Sequence, residues 1–209
     1  EGTATELYSD SCADENRHDD TYSFGALSPD GSFMLTSASM QREVAYDFFP
    51  NIASIDDDTG PRDSKLINTE TGAVLSAPGF DGVIRKALMP SFSPDGRSVV
   101  FSGISGTSRD IFRLDLETKT VTNLTSDEAY DTAPVYSPDG KYLYYTKSIG
   151  EFQKIVRFPV DDPKKVEQVT WGEGNDDDAA LSPDGERLYF ASSRGGIFNV
   201  YGQDLKTGE

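Results

Sequence analysis

The tetrapeptide Ser-Pro-Asp-Gly occurs four times in this chain, and its spacing is the strongest constraint on the fold. The copies begin at Ser28, Ser93, Ser137 and Ser182, so successive copies are 65, 44 and 45 residues apart. A period of about 44 residues is the length of four short strands with their turns, which is one blade of a β-propeller. The spacing therefore predicts an all-β propeller of four-stranded antiparallel blades, with four repeats visible.

Each repeat has the same internal order of segments. An apolar residue precedes the serine, a strand follows the turn, and a second turn begins 22 residues after the serine at Asp115 and at Asp204. The strand after the first turn is apolar at consecutive positions, for example Val99, Val100 and Phe101. A strand without alternation is covered on both faces, as expected where each blade packs between two neighbours.

The repeats assign the whole chain, residues 1–209, to one propeller region. The first repeat is longer than the others because of an insertion at 41–64, and the last is incomplete because no fourth strand follows its second turn. The N-terminal segment 1–20 either supplies that strand through Ala4–Ser9 and closes a four-bladed ring, or the chain is part of a larger propeller. The predicted blades cover about 21–80, 81–125, 126–170 and 171–209.

The charge and the rare residues exclude several classes of function. With 19 basic and 36 acidic residues the formal net charge is −17, so the chain is not expected to bind nucleic acid. A single cysteine and a single histidine exclude an intrachain disulfide, cysteine-rich metal sites and zinc motifs with paired histidines. No apolar run approaches the roughly 18 residues of a membrane span.

The tetrapeptides are predicted to be tight turns rather than ligand-binding loops. Proline presets φ at the first turn position, aspartate favours the next, and glycine accepts the positive φ that precedes the strand. The aspartate oxygens can also accept hydrogen bonds from nearby backbone amides. A catalytic role for the serines is not expected, because one histidine cannot serve four of them as a base.

Acidic residues before the turns are the candidate metal ligands. Asp131 and Asp176 both stand six residues before a turn serine, on the approach to the central channel of a propeller. Carboxylates from several blades could converge there on Ca²⁺ or another small ligand. The alternative is a solvated turn at the start of the blade. The predicted candidates are Asp131, Asp176, Asp177 and Asp178, and Arg109 and Arg194 could pair with these acidic residues.

The repeats resemble the TolB-like β-propeller repeat family. The resemblance rests on the tetrapeptide after an apolar or aromatic residue, a strand ending in "FAS" before "SRGG", and the later "DLKTG" and "NLT" segments. It covers nearly the whole chain outside the first 20 residues and the insertion. Propellers of this family usually have about six or more blades, so the resemblance implies part of a larger propeller in an exported, periplasmic or extracellular protein of bacterial type.

The resemblance implies a non-catalytic protein-binding or scaffold module, whose open edge is covered by missing blades or by another chain. The alternative is a substrate-gating propeller domain of a larger enzyme, such as a prolyl-peptidase-like hydrolase. The sequence itself has no nucleophile elbow and no phosphate-binding glycine loop, and it predicts no catalytic residue. Tyr46, Phe48 and Phe49 in the insertion are the predicted partner-binding residues, because aromatic side chains among charges suit a contact surface.

Overall fold

The computed structural model describes residues 21–39, 64–75, 87–105 and 108–208, and within these residues it contains fifteen strands and no helix. The strands are β1 (Thr21–Leu27), β2 (Phe33–Ser39), β3 (Ser64–Asn68), β4 (Val74–Leu75), β5 (Ala87–Phe92), β6 (Ser98–Ser105), β7 (Ser108–Asp115), β8 (Val121–Asn123), β9 (Asp131–Tyr136), β10 (Tyr142–Ile149), β11 (Phe152–Pro159), β12 (Glu167–Gln168), β13 (Asp176–Leu181), β14 (Arg187–Ser192) and β15 (Asn199–Asp204).

The strands form four antiparallel sheets in which sequence neighbours are also neighbours in space. Blade 1 contains β1–β4, blade 2 contains β5–β8, blade 3 contains β9–β12, and blade 4 contains the three described strands β13–β15. The first strand of each blade contacts the first strand of the next, which places these strands on the inside of the ring. The prediction of a propeller with four visible blades is therefore confirmed.

Three apolar clusters lie between successive blades and hold them together. Strand β6 supplies residues to two of them, with Val99 and Phe101 packed toward blade 1 and Val100 packed toward blade 3. All three side chains are fully buried, which confirms that this strand is covered on both faces. In blade 4, Leu188 is buried while the next residue, Tyr189, is exposed, because the described residues cover only one face of this blade.

The four Ser-Pro-Asp-Gly segments form the same tight turn. The glycines have φ between 70° and 74°, as the turn interpretation predicts. In the turn of blade 2, Asp95 Oδ1 accepts hydrogen bonds from the Ser93 hydroxyl (2.6 Å) and the Arg97 amide (3.0 Å), and the other turns repeat this pattern. These bonds stabilise the ionised carboxylate, and they lower the pKa of the equivalent Asp139 to about 2.

The turns also contact one another, which the sequence did not predict. A Cβ added to Gly96 would lie 3.7 Å from Cδ of Pro29, in the turn of the preceding blade. The same relation joins the turns of blades 3 and 4 to the turns before them, with distances of 3.8 and 3.7 Å. Pro29, Pro94 and Pro138 therefore belong to the interfaces between blades as well as to their own hairpins.

Several predicted features lie outside the described residues. These are the possible closing strand Ala4–Ser9, most of the insertion between the paired strands β2 and β3, and its residues Tyr46, Phe48 and Phe49. The predicted blades 81–125 and 126–170 end at Thr125 and Thr170, whereas the fourth strands β8 and β12 end at Asn123 and Gln168, before these threonines. None of the described residues belongs to a helix that could cross a membrane.

Candidate functional site

The two aspartates that stand six residues before a turn serine are the first residues of inner strands. Asp131 begins β9 and pairs in register with Lys147, and Asp176 begins β13 and pairs with Ser192. Both side chains are fully buried. The alternative of a solvated turn is therefore wrong for these two residues, because the first strand of the blade already begins at the aspartate and the neighbouring loops cover it.

Asp176 is held by two cationic side chains. Lys154 Nζ lies 3.0 Å from Oδ2 of Asp176, and Arg194 Nη2 lies 3.1 Å from Oδ1. Burial alone would raise the pKa of Asp176, but hydrogen bonds from Ser192, Lys154, Thr170 and Arg194 outweigh it and keep the pKa below its ordinary value. The predicted pairing of Arg194 with the acidic cluster is thus confirmed, and the aspartate is ionised.

Asp131 has one cationic partner, which it shares. Lys147 Nζ lies 3.2 Å from Oδ1 of Asp131 and 2.6 Å from Oδ2 of the more exposed Asp127. The second oxygen of Asp131, Oδ2, is buried without a hydrogen-bond partner. Burial raises the pKa of Asp131 to about 6, since the hydrogen bond from Thr125 and the charge of Lys147 offset it only in part.

The three consecutive aspartates of blade 4 do not converge on one point. The carboxylate of Asp177 accepts a hydrogen bond from the Thr146 hydroxyl of blade 3 at 2.7 Å. Asp178 is exposed and has a φ of 55° at a bulge in β13. Met89 and Ala133 occupy the same place in β5 and β9 and also have positive φ. Asp176 therefore forms an ion pair, Asp177 contacts the preceding blade, and Asp178 lies in a bulge.

The sequence analysis missed the threonines that connect these aspartates to the preceding blade. Thr170 Oγ1 accepts a hydrogen bond from the buried amide of Ile155 at 3.0 Å, and Thr125 Oγ1 does the same for Ile111 at 2.9 Å. The hydroxyl of each threonine also acts to lower the pKa of the aspartate that begins the next blade. A signal was available, because a threonine stands six residues before the aspartate in both repeats.

Arg109 was also predicted as a partner for acidic residues. Its guanidinium lies 4.6 Å from the centre of the Tyr130 ring, and its Nε is buried without a hydrogen-bond partner. The cation–π contact links the start of β7 to the segment that enters blade 3.

The described residues contain no group of three or more histidine, cysteine, aspartate or glutamate side chains placed to hold a metal ion. Of the four predicted ligands, Asp176 is ion-paired and Asp177 is bonded to Thr146, while Asp131 has a buried carboxylate oxygen that is free to accept. The buried ion pair of Lys154 and Asp176 instead holds blades 3 and 4 together. Binding of Ca²⁺ at these residues stays a prediction.

Comparison with known proteins places this geometry in a family. The model of the TolB beta propeller domain matches residues 51–209. The Tol-Pal system protein TolB of Francisella tularensis is 39% identical over 61 residues, which is 29% of this chain and 14% of that protein. The chain spans less than a third of the length of the curated relatives it matches.

Solved structures show the same fold. The crystal structure of TolB from Acinetobacter baumannii aligns with a TM-score of 0.68 and 25% identity over 91% of this chain and 42% of that one. A structure of a prolyl endopeptidase aligns with a TM-score of 0.60 and 13% identity over 90% of this chain and 27% of that one, which shows the shared fold alone. The family model matches well over half of the length of this chain, and the chain therefore belongs to the TolB beta propeller domain family.

Proposed function

We propose that this chain is a non-catalytic propeller that acts as a protein-binding or scaffold module in an exported bacterial-type protein, in the periplasm or outside the cell. Its membership of the TolB family and its similarity to a protein of the Tol-Pal system support this proposal. In this role the packed blades present their loops and faces to a partner.

The observation that carries the proposal is the use of buried charge between blades. Lys154 of blade 3 reaches across to Asp176 of blade 4, and both side chains are almost fully buried. Removing one partner of such a pair leaves an uncompensated charge, so the two blades are tied in one arrangement. The buried lysine and aspartate side chains thus stabilise the contact between two blades. This use of charge is what we expect of a scaffold rather than of a catalytic site.

The open face of blade 4 also supports a role in assembly. Val200 is 80% exposed, whereas Ile155, at the same place in blade 3, is fully buried by blade 4. Tyr189 is likewise exposed where its equivalent Tyr144 is buried. We propose that missing blades or another chain cover this face in the functional protein, because an apolar sheet face of this kind is otherwise an aggregation hazard.

The insertion is the proposed contact region for a separate partner. Its aromatic residues Tyr46, Phe48 and Phe49 lie among charged residues in the connection between β2 and β3. Aromatic side chains are enriched in the energetically important centres of protein interfaces.

Affinity capture from a periplasmic extract tests this function. The native chain should capture a partner, and a triple variant Y46S/F48S/F49S should lose it, because the aromatic anchors are removed. The control is Val166→Ser, which removes an exposed apolar side chain between β11 and β12, away from both the insertion and the open face of blade 4. A chain that captures nothing, or a triple variant that captures as well as the native chain, would contradict the proposed contact region.

A second proposal is a substrate-gating propeller of a prolyl-peptidase-like hydrolase, supported by the fold shared with prolyl endopeptidases. Assaying the natural full-length protein on proline-containing peptides distinguishes the two, because only a gating propeller would accompany hydrolysis. A third is Ca²⁺ binding at Asp131, whose buried free oxygen supports it. Calorimetry with Ca²⁺ that gave neither heat nor thermal stabilisation would exclude it.

A further inference from the structure

The two ends of the propeller differ in chemistry. We call the end that carries the Ser-Pro-Asp-Gly turns the turn end, and the opposite end, where the chain passes from one blade to the next, the connection end. The second turns also lie at the turn end, since the amides of Leu116, Val160 and Leu205 bond to carbonyl oxygens of residues in the first turns. The connection end is formed by residues 124–130, 149–152, 169–175 and 193–198.

Cations are distributed unequally between these ends. At the turn end of blades 2 to 4 the exposed basic residues are Arg97, Lys141, Lys164, Lys165, Arg187 and Lys206. At the connection end, Lys147, Lys154 and Arg194 are all bound to aspartates of the chain, and Arg109 lies against Tyr130. Within the part of the connection end that the structure describes, the basic residues are therefore bound to buried aspartates or to an aromatic ring, whereas the ion pairs of the turn end, such as Lys206 with Glu186, join exposed side chains.

Three exposed glutamates at the connection end lack such partners. Glu128, Glu151 and Glu173 have no lysine or arginine within ion-pair distance among the described residues. The connection end of blades 3 and 4 is thus a surface of net negative charge, because its lysine and arginine side chains are buried or already paired with aspartates.

Large apolar side chains are exposed beside each of these glutamates. Tyr130, Ile149 and Trp171 are 40%, 38% and 67% exposed, and each is two residues from one of the glutamates. Trp171 lies in the connection between β12 of blade 3 and β13 of blade 4, so its exposure has a different origin from that of Val200, which lies on the uncovered face of blade 4. Exposed aromatic side chains surrounded by polar residues are typical of a surface that binds a partner.

Hydrogen bonds hold the backbone of this surface in place. The amide of Gln153 donates to Asn175 Oδ1 at 3.0 Å, and the amide of Ser193 donates to the Asn175 carbonyl at 2.9 Å. Lys154 Nζ donates to the Gly174 carbonyl at 2.7 Å. The loops of both blades are therefore joined at the connection that carries Trp171, and a partner would meet a surface that is already ordered.

From these observations we propose that the connection end of blades 3 and 4 binds a protein segment in which lysine or arginine stands next to an apolar side chain. Trp171 is the apolar anchor, and Glu151 and Glu173 receive the cations. The proposal rests on the protein-binding function and names the chemistry of the partner. Charge complementarity selects a basic segment, since the exposed charges at this end are acidic.

Trp171 is the chain's single tryptophan, so its fluorescence reports directly on this surface. The probe is a tryptophan-free peptide of alternating lysine and leucine, and the matched control peptide has glutamate in place of lysine. We expect a saturable blue shift with the basic peptide that weakens as salt is added, and no shift with the acidic one.

Variants locate the site by anisotropy of the labelled basic peptide. Trp171→Ser and the double variant E151Q/E173Q should each weaken binding at least fivefold, and the double variant should reduce the salt dependence. Val200→Ser is the control for exposed apolar residues elsewhere and should bind as the native chain does. All these positions are exposed, so the variants are expected to unfold like the native chain.

Two outcomes overturn the proposal. Binding that is unchanged in Trp171→Ser and in E151Q/E173Q would show that the peptide binds elsewhere, and binding lost in Val200→Ser would assign it to the open face of blade 4. If the chain captures a natural partner equally well with the native and the altered connection end, this inference fails while the protein-binding function stands.

Discussion

Asp131 of blade 3 and Asp176 of blade 4 occupy the same place in the repeat and are both fully buried, yet their surroundings differ. Asp176 is bonded to Lys154 of the preceding blade. The residue of blade 2 at the place of Lys154 is Asp110, because both stand opposite the same position of the neighbouring strand. Asp131 instead depends on Lys147, a residue of its own blade that also binds Asp127.

Because of this difference the pKa values of the two carboxyl groups shift in opposite directions, although burial acts to raise both. Burial raises the pKa of Asp131 to about 6, whereas the donors around Asp176 outweigh burial and lower its pKa. A buried carboxylate favours folding in its ionised form only where enough donors surround it. The comparison teaches that the same repeat position can stabilise one blade interface and weaken another at neutral pH.

The two aspartates therefore contribute to the pH dependence of stability with opposite signs. The folded pKa of Asp176 is lowered, so its contribution is present above the unfolded pKa and is lost as the pH falls. The folded pKa of Asp131 is raised from 3.8 to about 6, so its contribution is present below 3.8 and is lost as the pH rises through 6.

The largest effect is expected from Asp176→Asn. The amide cannot balance the charge of Lys154, whose side chain is only 4% exposed, and the free energy of unfolding should fall by about 3–5 kcal/mol at pH 7. Urea unfolding followed by circular dichroism measures this. The control is Asp178→Asn in the same strand, which is exposed and should change stability by less than about 0.5 kcal/mol. Equal losses in the two variants would contradict the role of the ion pair.

The effect of Asp131→Asn should depend on pH in the opposite direction. The native chain loses stability as Asp131 ionises, and the variant does not, so its stability relative to the native chain should rise by on the order of 2 kcal/mol between pH 4.5 and 7. Over the same range the stability of Asp176→Asn relative to the native chain should stay nearly constant, because the folded pKa of Asp176 lies below 3.8, and the deficit of this variant should shrink only as the pH falls below about 4. Unfolding titrations at several pH values measure both differences, and parallel curves for the two variants would refute the contrast.

The elements that the sequence predicts well are those encoded within one repeat. The turn at Asp95 and Gly96 depends on the φ of glycine and on bonds between residues at most five apart, so the tetrapeptide alone determines it. The two-sided burial of β6 is also visible, because consecutive apolar residues report on both faces.

The partners of the aspartates were not predictable in the same way. Lys154 and Asp176 are 22 residues apart and belong to different blades, so their contact depends on how one sheet packs against the next. The sequence analysis named Arg194, which follows a strand near a glycine-rich turn, but it did not name Lys147, although Lys147 lies in the same repeat as Asp131. The burial of Asp131 escaped detection because an acidic residue before a turn usually indicates a solvated position.

Variants of the two threonines form a matched pair, and each should lower the free energy of unfolding by less than the aspartate variants change it. Thr125→Val and Thr170→Val each leave a buried amide, of Ile111 or Ile155, without an acceptor, and each should cost roughly 1.5 kcal/mol. Thr125→Val should cost more at pH 7 than at pH 4.5, because Asp131 also loses a donor that favours its ionised form. Thermal unfolding at the two pH values measures this, and a larger pH effect in Thr170→Val would contradict it.

The smallest effect is expected from giving Asp131 a lysine from the preceding blade, as Asp176 has in Lys154. Asp110→Lys places an ammonium group at the position of blade 2 that corresponds to Lys154, from which the side chain should reach Asp131. The pKa of Asp131 should then fall, and the stability lost between pH 4.5 and 7 should decrease by about 1 kcal/mol. The control is Asp110→Asn, which removes the same negative charge without adding a cation and keeps an oxygen that can accept the bond from Asn123. If the two variants had the same pH dependence, the lysine would not reach Asp131. The difference between blades 3 and 4 would then arise from the donors Ser192 and Arg194 within blade 4 rather than from the residue of the preceding blade.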